Sequence, residues 1–177
     1  MPEEQDTTLG ALQTALQMEI DGKEFYLNAS KTSKNKLGKE LLKTLAAEED
    51  IHRAVFQNIY NTIKNNKGWP DQEKFCTDGG RGLRTVFARA LEIMDKDVNA
   101  IPTELDAVQT GMDMENKTLD FYKSRSGKAA YDAERQLYED LAIQEGEHFR
   151  VLLDYFEFLK NPAAWFVQKE HPSLDGG

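Results

Sequence analysis

The chain has 177 residues, 40% of them hydrophobic and 30% charged, which suits one domain with a real buried core. Its net charge of −9 argues against non-specific binding to nucleic acid or to an anionic membrane surface, and no apolar run approaches the roughly 20 residues that span a bilayer. A single cysteine, Cys76, allows no intramolecular disulfide and no CxxC metal pair, and residues 1–6 are acidic and polar rather than signal-like, so a reduced cytoplasmic setting is expected.

Helical periodicity dominates from the start. Leu9, Leu12, Leu16, Glu19, Tyr26 and Ala29 share one face of a first helix, with Asp6, Thr7 and Thr8 as N-cap candidates. A polar turn is expected within residues 30–36. The second helix places Leu41, Leu45, Glu49, His52, Val55, Phe56 and Ile59 inward and should stop near residues 65–68, with Pro70 just beyond. Residues 67–81 are irregular, and a shorter pattern follows at Leu83, Val86, Phe87, Ala90, Leu91 and Met94. Pro102 breaks that pattern and suits the first turn of a third long helix, which carries Leu105, Val108, Met112, Glu115, Leu119 and Tyr122. A fourth carries Leu137, Leu141, Glu145, His148, Val151, Leu152 and Tyr155 and stops at Asn161 and Pro162.

Strand-like alternation is absent. The expected architecture is all-α, a single domain of two helical hairpins at about 7–66 and 102–160 with a tail at 161–177. The connection at 67–101 contains its own short helix, and one long crossover of this kind makes an antiparallel four-helix bundle ferritin-like.

An internal repeat runs through both hairpins at an offset of 96, as from Ala11 to Ala107. It pairs Thr14 with Thr110, Met18 with Met114, Phe25 with Phe121, Leu41 with Leu137, Leu45 with Leu141 and Val55 with Val151. Shared Leu and Ala could reflect the few residue types that cores use. The repeat also pairs Glu19 with Glu115, Tyr26 with Tyr122, Glu49 with Glu145 and His52 with His148, and shared polar residues on core-facing positions are harder to dismiss.

Each half therefore reads Glu, Tyr seven residues on, then Glu-x-x-His. The spacing of seven puts Glu and Tyr on one face about two turns, or 10.5 Å, apart. The spacing of three puts Glu and His side by side. Packed as a pseudo-symmetric pair, the hairpins bring four carboxylates and two imidazoles together, the ligand set of di-metal carboxylate bundles. Such ligands suit Fe(II), with Mn(II) as the alternative, better than a thiolate-seeking metal. Four Glu offset two divalent cations, whereas the same four without metal must take up protons or repel one another. Tyr26 and Tyr122 are expected to orient the ligating carboxylates.

These residues resemble the rubrerythrin and ferritin-like di-iron superfamily from Leu9 to about Leu159, apart from the crossover. The resemblance implies that Glu49 and Glu145 bridge two irons, and that Glu19 with His52 and Glu115 with His148 cap them. It also implies a non-haem di-iron oxidoreductase that oxidises bound Fe(II) with H2O2 or O2 and is re-reduced by an external donor such as a rubredoxin-like protein. A homodimer or larger homo-oligomer is expected with it. The chain departs from full-length rubrerythrins in showing no rubredoxin domain and in placing Thr118 where a further acid tends to stand, three residues after Glu115.

Two other classes stay open at this point: iron sequestration in a storage protein, and a helical interaction protein with a vestigial site. Among other residues, Glu24, Glu48, Asp120 and Glu147 are assigned mostly to a solvated face, with a minority lining an iron entry path, and His171 to the surface. Gly22 and Gly146 could admit a neighbouring chain or a small oxidant. Trp165 and Phe166 look like a tail that docks on the bundle or on a neighbouring subunit.

Overall fold

The computed structural model describes residues 2–65, 68–70, 102–162 and 164–165. Four long helices account for nearly all of them: α1 (Pro2–Thr32), α2 (Lys36–Lys64), α3 (Pro102–Ser126) and α4 (Asp132–Lys160). Among the described residues there is no strand, and no helix is long and apolar enough to cross a membrane. Cys76, the short helix expected around residues 83–94, Phe166 and His171 lie outside the described residues.

Four of the expected helix boundaries hold, α4 ending at Lys160 just before Asn161 among them, and one moves. The turn between α1 and α2 lies at residues 33–35, where Asn35 caps α2 by accepting the Leu37 N–H at 2.9 Å. After α2 the chain passes through Gly68 with φ of 70°, a left-handed conformation that glycine adopts without a Cβ penalty. Pro102 does open α3. The first helix, however, begins at Pro2, so Asp6, Thr7 and Thr8 are interior residues and not caps. No Gly or second Pro interrupts residues 3–8, and a proline is compatible with a first turn, so the helix extends back to it.

Each hairpin packs closely on itself, α1 along α2 and α3 along α4, and α1 also lies along α3. Tyr26 reaches Glu115 while Tyr122 reaches Glu19, so α1 and α3 run antiparallel. The end of α2 and the start of α3 sit at opposite ends of the bundle. Trp69 stacks on Tyr131 at the α3–α4 turn, whereas Glu104 meets Ser33 and Tyr155 at the other end. This placement is what a single long crossover requires.

The core divides into two apolar halves. One holds Leu41, Leu42, Leu45, Val108, Leu152, Tyr155 and Phe158, with Trp165 packed edge-on to Phe158 at 5.9 Å. Trp165 thus docks on its own bundle. The other half holds Leu12, Ala15, Phe56, Ile59, Leu137, Tyr138 and Leu141. Between them lies a layer of buried polar side chains.

Candidate metal centre

The polar layer consists of the six residues that the repeat equates. Glu19, Glu49, His52, Glu115, Glu145 and His148 are each at most 4% exposed, and the helices contribute them in order: Glu19 from α1, Glu49 and His52 from α2, Glu115 from α3, Glu145 and His148 from α4. Burial of six ionisable groups between two apolar halves is costly unless they compensate one another or hold ions. The arrangement resolves into two groups. Glu19, Glu49, His52 and Glu145 bring one ligand atom each to within 4.8 Å of one another, and so do Glu49, Glu115, Glu145 and His148.

Glu49 and Glu145 belong to both groups and lie between the two positions, while Glu19 sides with His52 and Glu115 with His148. The imidazoles point inward by the same nitrogen. His52 Nδ1 is 3.3 Å from Glu19, 3.4 Å from Glu49 and 3.3 Å from Glu145. His148 Nδ1 is 3.3 Å from Glu49, 3.5 Å from Glu115 and 3.4 Å from Glu145. The two rings lie nearly parallel, with centroids 5.6 Å apart and an interplanar angle of 12°.

The tyrosines act across the hairpins. Tyr26 of the first donates its hydroxyl to Glu115 of the second, and Tyr122 of the second donates to Glu19 of the first. Each fixes one oxygen of an end carboxylate and leaves the other facing a histidine. Gly111 makes room for this: a Cβ there would stand 3.1 Å from Tyr26 Cε1 and 3.3 Å from its hydroxyl.

The charge pattern is uneven. Burial raises the Glu19 and Glu115 carboxyls well above the usual carboxylate range, and the charge of Glu49 adds to it. Burial also pushes on Glu49, but its interactions with Glu19, His148 and His52 outweigh that and hold it low. Burial and the Glu49 charge push on Glu145 as well, yet His148 and Glu115 bring it down to about 2. Burial alone would lower both imidazoles. Glu19 beside His52 and Glu115 beside His148 reverse this and raise them well above 6.5. Free of metal, the layer gathers protons where cations would otherwise sit.

Whether these residues suit a metal can be judged from their unmet needs. Both oxygens of Glu145 and Nδ1 of His148 are buried with no hydrogen-bond partner, for the nearby N···O approaches of 3.3–3.5 Å lack hydrogen-bond geometry. Leaving such atoms unsatisfied costs about 1–3 kcal/mol each. A cation answers all of them at once, and carboxylate oxygens with one imidazole per position are donors that iron or manganese accepts. The residues fit.

Three features escaped the sequence reading. Glu48 is not on a solvated face: its side chain is 13% exposed and accepts from His148 Nε2 at 3.0 Å. Gln144 plays the same part for His52, at 3.1 Å. Their equivalence under the offset of 96 was the available signal. Glu147 is also buried, paired with Arg150, whereas Glu24 and Asp120 are exposed as expected. Gly22 and Gly146 are not sterically required, since a Cβ at Gly22 would make ordinary contact with Glu49 at 3.5 Å and one at Gly146 would meet open space. Thr118 turns back on its own helix and donates to the Met114 carbonyl at 3.2 Å.

Among known proteins, no curated sequence and no solved structure matches the chain. A family model described as Rubrerythrin matches residues 11–155, a span that includes all six residues of the buried layer and both tyrosines. The chain belongs to the rubrerythrin family.

Proposed function

We propose that the chain is a non-haem di-iron oxidoreductase that oxidises a bound Fe(II) pair with peroxide or O2 and is re-reduced by a separate electron donor. The observation that carries this reading is the sharing of Glu49 and Glu145 by two four-residue groups, since only a pair of ions uses such an arrangement fully. Glu19 and His52 would hold one ion and Glu115 and His148 the other, with Glu49 and Glu145 common to both. Two bound irons supply two electrons, enough with two protons to take H2O2 to water.

The chain's own residues supply the rest. Tyr26 and Tyr122 each hold one oxygen of an end carboxylate and would keep the other aimed at the ions. Apolar halves on either side keep bulk water from the layer and strengthen its electrostatics.

Rapid mixing of the diferrous protein with H2O2 and, separately, O2 tests the reading. The expected result is oxidation of two irons per chain, restored by a reductant and repeatable without loss of iron. Iron accumulating as ferric mineral beyond two per chain would contradict it in favour of storage. Oxidation no faster than that of free Fe(II) would contradict it in favour of a vestigial site.

A further inference from the structure

The repeat equates every residue of the buried layer with one of its own kind, yet it equates Glu48 with Gln144. Both stand immediately before a shared glutamate, and each crosses to the histidine of the other hairpin. His148 Nε2 lies 3.0 Å from Glu48 Oε2, and His52 Nε2 lies 3.1 Å from Gln144 Oε1. A carboxylate only accepts, so the His148 Nε2–H is the donor. The Gln144 amide nitrogen donates to the Asp140 carbonyl at 3.4 Å, which turns its oxygen to the ring, so His52 Nε2–H donates as well. In the neutral imidazole, both outer bonds leave at Nδ1 the lone pair that a cation among the carboxylates would take.

The two outer acceptors differ in strength. A hydrogen bond to a carboxylate is roughly twice as strong as one to a neutral amide. It makes the imidazole a better donor to a cation and adds negative charge near that position. Outer partners of ligating histidines typically change metal affinity by about 10–100-fold when removed.

We propose that Glu48 makes the position held by Glu115 and His148 the tighter of the two, so that ions load there first and at Glu19 and His52 second. The proposal rests on the two-metal reading above. Glu48 is a positioning residue, acting on the ion through His148. The repeat thus builds one scaffold with two unequal places, and at the outer faces of the two histidines the difference is Glu48 against Gln144.

Anaerobic calorimetric titration of the full chain with Co(II) tests this, using wild type, Glu48→Gln and Gln144→Glu. Wild type should show two steps, separated by about tenfold or more beyond the ratio for two equal sites. Glu48→Gln should weaken the first step to the strength of the second, merging them. Gln144→Glu should strengthen the second by about tenfold and merge them at the tight end, a gain that a merely structural role for these residues would not produce. Wild type that binds two ions in steps unmoved by Glu48→Gln, or moved equally, would overturn this proposal alone. Wild type that binds fewer than two ions would overturn the two-metal reading and the proposal with it.

Discussion

Tyr122 on α3 donates its hydroxyl to Glu19 on α1, so the end carboxylate of one hairpin is held by the other. Tyr26 returns the bond to Glu115. Removing either hydroxyl leaves a buried carboxyl oxygen without its donor. Tyr122→Phe and Tyr26→Phe should each cost about 1–3 kcal/mol in the metal-free protein, read by urea denaturation. A loss confined to one variant would show that the hairpins are not joined reciprocally.

Glycines in the same layer should behave oppositely. Gly111→Ala places a methyl 3.1 Å from the Tyr26 ring and 3.3 Å from Leu152, with little room to yield, and should destabilise by about 1–3 kcal/mol. Gly22→Ala meets only ordinary contacts, at 3.5 Å and beyond, and should gain up to about 1 kcal/mol from helix propensity. Thermal melts of the two variants check the contrast, and destabilisation of Gly22→Ala would show that Glu49 needs the space beside it.

At the end of the bundle where α1 turns into α2, Gly38 faces a closed cluster in which Ser33 and Tyr155 donate to the buried Glu104. A Cβ at Gly38 would overlap the Tyr155 hydroxyl and come within 2.6 Å of Glu104 and 2.7 Å of Ser33. Gly38→Ala should cost about 3 kcal/mol or fail to fold. Tyr155→Phe should cost about 1–3 kcal/mol, again by denaturation. Neither should change the number of ions bound by protein that remains folded.

Stability should depend on pH in a direction set by the buried layer. His52 and His148 have raised folded pKa values, so their contribution is complete below about pH 6.5 and is lost as pH rises through those values. Glu19 and Glu115, also raised, make the fold weaker as pH climbs above about 4.5. Glu49 and Glu145 act oppositely: their contribution is present above about pH 4.5 and is lost as pH falls, through about 2 for Glu145. The metal-free protein should therefore be most stable in mildly acidic solution and weaken toward alkaline pH. Bound Mn(II), which displaces the protons, should abolish the alkaline loss. Denaturation with chelator and with Mn(II) across this range checks it, and a flat profile without metal would contradict it.

The bundle and its central layer were legible because they rest on periodicity and on a repeat. Glu-x-x-His at three-residue spacing must share a helix face, and a duplicated hairpin brings duplicates together. What stayed hidden depends on packing between helices. Glu48 and its neighbour Glu49 differ by one position on α2, yet one joins the shared centre and the other reaches the far ring of His148, a distinction that no local pattern makes. Gly111 carries no signal of its own, because its need arises from Tyr26 on another helix. α1 starts ahead of Asp6, Thr7 and Thr8 because residues that cap helices also occur inside them.

The most direct test of two ions sharing one buried layer is anomalous X-ray scattering from crystals of the iron-loaded protein, measured on either side of the iron edge. Two peaks are predicted, one among Glu19, Glu49, His52 and Glu145 and the other among Glu49, Glu115, Glu145 and His148. A single peak, or iron found only outside this layer in fully loaded crystals, would contradict the account.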